Sequence, residues 1–242
     1  MLECQKERFA LPPGLHYLNC AYMGPLARRV EAAGIAGIRR RRDPSGISPE
    51  HFFEESDRVR LLFARLIGAR EPERIAILPA VSYGVAIAAR NTPVARGQNL
   101  VVAHEQFPSN VYAWRALAAR TGAELRTVAP APGPSRGAAW TERILEAVDA
   151  DTAVVALDHV HWTDGTRFDL EQIAARARAV GAAFVVDGTQ SVGALPFDVE
   201  RIRPDALVCA AYKWLLGPYG LALGYFGARY DGGAPLEETW IA

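Results

Sequence analysis

Lysine is nearly missing from this sequence. Of the 27 basic side chains in 242 residues, only Lys6 and Lys213 are lysines and the rest are arginines. Cysteine is scarce too. Cys4, Cys20 and Cys209 are odd in number and lack metal-ligand spacing, which excludes a disulfide framework and suits a reducing, cytoplasmic compartment. No apolar run reaches membrane-spanning length, and the N-terminal MLECQKERFALPPG lacks a signal-peptide core, so no membrane association is expected. Net charge is absent as well: 27 acidic side chains balance the 27 basic ones. The basic residues are scattered, which removes the electrostatic footprint of a nucleic-acid partner. The Arg-rich GIRRRRDPSG (37–46) reads as a solvated helix end. Neither G-x-G-x-x-G after a strand nor G-x-x-x-x-G-K-[ST] occurs, and H-E-x-x-H is missing. The common dinucleotide, P-loop and zinc-protease chemistries therefore have no support, and no metal is expected.

What is present is a long α/β pattern. Short apolar runs at 75–78, 100–103, 124–128, 153–157, 183–186, 206–209 and 221–226 alternate with amphipathic stretches at 82–91, 109–120, 141–149 and 170–180. Continuous Val/Ala/Leu runs mark strands buried on both faces. The expected fold class is three-layer α/β, a mostly parallel sheet with helices on both faces. Residues 206–226 hold two apolar runs without a helical crossover, which predicts an antiparallel excursion at one edge. Residues 1–74 are expected to form an N-terminal helical segment, with helices over 25–42 and 49–67, packing on a large domain of residues 75–242.

Ligands in open α/β sheets gather at the carboxyl ends of the strands, and four groups fall there. In a chain whose other basic residues are arginine apart from the terminal Lys6, Lys213 in the nearly uncharged ALVCAAYKWLLGPYG marks a position where arginine is disfavoured, since lysine can lose its proton and arginine cannot. Asp187 closes the run AFVVD. Val81 and Ser82 open a helix after IAIL, and a helix start offers free N–H groups and partial positive charge to a phosphate. Phe107 and Asn110 follow LVVA. Each has a plainer reading (a snorkelling lysine, a turn aspartate, an N-cap serine, a core phenylalanine), but together they supply what pyridoxal phosphate needs: a Schiff-base lysine, a carboxylate facing the ring nitrogen, a flat aromatic cover and a phosphate cradle. Lys213 would then also shuttle the α-proton of an amino-acid substrate.

FVVDGTQSVG and AAYKWLLGPYG, with the segment from LNCAYMGPL onward, resemble the class V aminotransferase family of fold type I pyridoxal-phosphate enzymes. That family includes cysteine desulfurases, kynureninases and isopenicillin N epimerase. The resemblance implies that Lys213 carries the cofactor, Asp187 faces its ring nitrogen and Gln190 lies at its phenolic oxygen. It also implies that Phe107 covers the ring, in an FPSN motif similar to that of kynureninases, where Asn110 stands in place of an aspartate. Val81, Ser82 and Tyr212 match phosphate contacts, and Trp240 falls near a tryptophan that reaches the neighbouring subunit's phosphate. A homodimer follows from the same resemblance. Ala210 replaces a serine usual in desulfurases, and His161 and Trp162 occupy a segment where desulfurases present an asparagine. Family members are longer, so a C-terminal small domain is expected to be absent. Two alternatives accompany the enzyme reading: a truncated or decayed cofactor-binding domain without turnover, and a nucleotide-binding α/β domain without pyridoxal phosphate.

Overall fold

The structure, a computed structural model, describes residues 3–130, 133 and 135–238. Seven strands form one sheet in the order β1-β7-β6-β5-β4-β2-β3. They are β1 (Ile75–Leu78), β2 (Asn99–Ala103), β3 (Glu124–Val128), β4 (Thr152–Asp158), β5 (Ala183–Asp187), β6 (Ala206–Ala210) and β7 (Ala222–Phe226). β3, β2, β4, β5 and β6 are parallel neighbours, while β7 runs antiparallel to both β6 and β1. The antiparallel element expected from residues 206–226 is present, but not at the edge. β1 pairs outside β7 and takes the edge position.

The Val/Ala/Leu runs are buried along their whole length in β2, β4, β5 and β6. Their side chains alternate between two apolar layers. Val101, Val155, Val186 and Leu207 pack with α2 (Glu54–Ile67), α5 (Arg136–Ala147) and α6 (Leu170–Ala179). Leu100, Ala156, Val185 and Val208 face α3 (Val81–Arg90) and α4 (Pro108–Thr121). α2 and α4 stop where Gly68 and Gly122 take left-handed backbone, with φ of 71° and 73°, a conformation that L side chains resist. A one-turn α7 (Val199–Ile202) precedes β6.

The long N-terminal helical stretch resolves into α1 (Arg28–Arg40), a 3-10 turn at Pro49–Phe52, and α2. α1 has no buried residue, whereas α2 buries Phe63, Ala64 and Ile67. α5 starts about five residues before the amphipathic pattern indicates, because its first turns carry Gly137 against the Arg167 carbonyl and the buried Trp140. Among the described residues no helix is long and apolar enough to cross a membrane.

Candidate functional site at the strand ends

A cavity of about 250 Å³ opens at the carboxyl ends of β4, β5 and β6 and the start of α3. Val81, Phe107, Asp158, Trp162, Asp187, Gln190, Tyr212 and Lys213 are among its walls. Parallel strands place their last residues at one rim, and the next connection begins there, so side chains distant in sequence converge.

Lys213 follows β6 in a loop tied back on itself by Ala211 N–H to Leu221 O (2.9 Å) and Gly217 N–H to Ala211 O (2.8 Å). The lysine is buried, and its Nζ lies 5.7 Å from the centre of the Phe107 ring and 5.8 Å from that of Tyr212. Burial pulls its pKa below the ordinary lysine value, against the opposing charges of Asp187 and Asp158. More of it is therefore the neutral, nucleophilic amine at a given pH.

Asp187 ends β5 and is buried, with one carboxylate oxygen accepting the Thr189 N–H at 2.9 Å. Burial raises its pKa, while the Thr189 hydrogen bonds and Lys213 oppose the shift. Asp158 ends β4 as the register partner of Asp187. Side-chain alternation sends both toward the α3 and α4 layer. Asn110 on α4 donates to Asp158 Oδ1 at 3.4 Å and accepts from Trp114 Nε1 at 3.3 Å. Asp158 Oδ2 is buried and has no hydrogen-bond partner among the described residues. Burial, and then the neighbouring Asp187, push the Asp158 carboxyl well above the usual carboxylate range.

The aromatic wall is held from outside. The Trp162 indole stands edge-on to Phe107, centroids 5.3 Å apart, and donates to Glu105 O at 2.7 Å. His161 Nε2 lies 2.9 Å from His104 O. A carbonyl only accepts, so Nε2 donates to it, while Nδ1 lies 2.9 Å from the Thr163 hydroxyl. Glu105 itself has φ of 54°, a strained value for a non-glycine residue. Two hydrogen bonds from the segment after β4 thus secure the strained turn leading into Phe107. On the opposite side Gln190 donates to Ala21 O and accepts from Trp214 Nε1, both at 3.1 Å.

At the remaining wall, α3 begins at Val81 after an extended Ala80, and no side chain caps it. Its first N–H groups remain open to a ligand.

Of the residues singled out in the sequence, Lys213, Asp187, Gln190, Phe107, Val81 and Tyr212 line the cavity. Ser82 lies beside it, exposed on the first turn of α3. Asn110 is fully buried behind the wall and reaches the site through Asp158. Trp240 lies outside the described residues. Asp158 and Thr189 were missed. Asp158 carried the same signal as Asp187, a carboxylate closing an apolar strand. Residues 133–137 spell G-x-S-x-G, the letters of a hydrolase nucleophile elbow. That motif needs a sharp strand-to-helix turn, whereas β3 ends at Val128 and α5 begins at Arg136.

Comparison with known proteins places the chain among relatives of known fold. Cysteine desulfurases from Shigella sonnei and Escherichia coli K12 are 31% and 30% identical over 175 residues, 71% of this chain and 42% of theirs. The chain thus spans less than half the length of these curated relatives. Among solved structures, a variant of C-DES with glycine covalently linked to its PLP cofactor superposes with a TM-score of 0.85 at 21% identity, covering 98% of this chain and 63% of that one. The apo cysteine desulfurase of Thermococcus onnurineus gives 0.81 at 22% identity, covering 93% and 56%. The fold is that of fold type I PLP enzymes. The aminotransferase class-V family model matches residues 48–237, and the chain belongs to that family.

Proposed function

We propose that this chain is the cofactor-binding part of a pyridoxal 5′-phosphate-dependent enzyme that acts on an amino acid through a covalent bond to Lys213. The observation that carries the reading is the placement of the buried Lys213 amine 5.7 Å over the Phe107 ring in a cavity that also holds the buried Asp187 and ends at the uncapped start of α3.

The residues present fit that cofactor. Lys213 is an amine whose pKa burial has lowered, and Asp158 Oδ2 is a buried acceptor with no donor in reach among the described residues. When bound, pyridoxal phosphate supplies an electron sink for bonds at the substrate α-carbon. Asp187 would hold the ring nitrogen in its protonated form, Phe107 would cover one face, and Gln190 would meet the phenolic oxygen. The α3 N–H groups at Val81 and Ser82, with Tyr212, would hold the phosphate, and Trp240 belongs with that group by motif alone. Asn110 would act by orienting Asp158. Lys213, released by the incoming substrate amine, would move the α-proton. Homodimerisation and a cytoplasmic setting belong to the same reading.

The test is an absorption spectrum of the purified chain after addition of pyridoxal phosphate and removal of the excess. A violet-region band is expected in the wild type and absent in Lys213→Ala. A band of equal strength in both proteins, or in neither, overturns the reading. Amino acids that shift the wild-type band would then identify the substrate class.

A further inference from the structure

The site holds two buried carboxyl groups and one buried amine. Asp158 and Asp187 occupy the same register position on neighbouring parallel strands, where strands stand about 4.8 Å apart, and both line the cavity. The α4 helix brings only neutral partners to Asp158, namely Asn110 and Trp114 behind it. β5 brings Asp187. β6 and the loop after it bring Cys209 and Tyr212, neutral groups whose pKa values burial and Asp187 raise. The same loop brings Lys213, the one cation that acts on Asp158 among the described residues. Asp158 Oδ2 has no hydrogen-bond donor among the described residues. Two buried carboxyl groups on adjacent strands raise the cost of ionising both against a single ammonium group, which favours keeping one proton with the pair.

We propose that Asp158 and Asp187 share one proton in the empty site and release it to solvent when a cationic ring enters, so that ring binding and proton release are linked. The charges balance. The empty site carries one negative charge on the pair and one positive charge on Lys213. With a pyridinium N–H present, two carboxylates face two cations, and the displaced proton passes to the buffer. The inference rests on the proposed cofactor reading and adds Asp158 as a cofactor-site acid.

The probe is 4′-deoxypyridoxine 5′-phosphate, which lacks the aldehyde and forms no bond with Lys213. Isothermal titration of the full chain at pH 7, repeated in buffers of different ionisation enthalpy, counts the protons released on binding. The ligand's own ionisations are common to all protein variants and cancel in a difference. Wild type is expected to release up to one more proton than Asp158→Asn. Its Kd should also tighten more steeply with rising pH, by as much as an additional tenfold per unit. Equal counts for the two proteins overturn the inference while leaving the cofactor reading standing. Should Asp158→Asn fail to fold, the wild type decides alone: no release beyond the ligand's own ionisation refutes proton sharing. Failure of the analogue to bind wild type sinks the cofactor reading, and proton sharing on ring entry falls with it.

Discussion

The backbone N–H of Gly24 donates to Tyr212 O at 2.8 Å, and a Cβ at Gly24 would collide with the carbonyl oxygen of Lys213. The N-terminal segment therefore lies flush against the backbone of Lys213, which carries the candidate nucleophile, and of the residue before it. The obstacle is backbone, not a side chain that could rotate away. Gly24→Ala should destabilise the chain by about 1–3 kcal/mol, read as a lower denaturant midpoint at unchanged slope. It should also weaken pyridoxal phosphate uptake, because Lys213 would shift together with its carbonyl. Unchanged stability would show that this segment lifts away freely.

Trp162 offers a separable test of how Phe107 is positioned. Trp162→Phe keeps an aromatic edge against Phe107 but removes the hydrogen bond to Glu105 O, a loss of about 1 kcal/mol that leaves the strained Glu105 turn less secured. Trp162→Ala also removes the ring contact, worth a further ~0.5–1.5 kcal/mol. Cofactor affinity should fall in the order wild type, Phe, Ala, by roughly fivefold at the first step and roughly two- to tenfold at the second. The wavelength of the bound-cofactor band should change only when Phe107 itself is displaced. Equal affinity in all three proteins would assign Trp162 no positioning role.

The strands were legible because each buried run in this sheet is an unbroken apolar string, and Asp187, Lys213 and Phe107 stand just beyond such strings. Other features depend on pairing that no local pattern encodes. The edge place of β1 follows from a partner, β7, almost 150 residues later in the chain. Asp158 ends its string as Asp187 does, but its meaning appears only when register sets the two side by side. Asn110 sits one helical turn from Trp114, and its role rests on Asp158, which has no other hydrogen-bond donor among the described residues. His161 and Trp162 act on backbone carbonyls 57 residues away, contacts that carry no sequence signature.

His159 sets an acid limit on stability. Burial, with the positive Arg167 nearby, pushes its pKa down to about 4, and its Nδ1 is buried without a hydrogen-bond partner among the described residues. The unfolded chain takes up this proton near pH 6.5. Stability from keeping His159 neutral is thus present above that value and is lost as pH falls toward 4, by roughly 3 kcal/mol over the window. Urea unfolding of wild type and His159→Gln between pH 7 and 4 checks this. The variant should lose less stability than wild type on acidification, and parallel curves would show that His159 is not what makes the fold acid-sensitive.

The carboxyl pair acts in the opposite direction. Burial raises the folded-state pKa of both Asp158 and Asp187, so the folded chain binds protons more tightly than the unfolded one. Stability from these groups is present below the unfolded carboxylate value of about 3.9 and is lost as pH rises through the higher folded values. Asp158→Asn keeps an oxygen for Asn110 but removes one ionisation. The cofactor-free variant should melt at a higher temperature than wild type at pH 8, and the gap should shrink toward pH 5. Bound pyridoxal phosphate should also narrow the gap, since the ring's positive charge offsets the repulsion that the variant removes. A cofactor-free wild type as stable as Asp158→Asn at pH 8 would mean that both carboxylates ionise there without penalty, with Lys213 neutralising their charge.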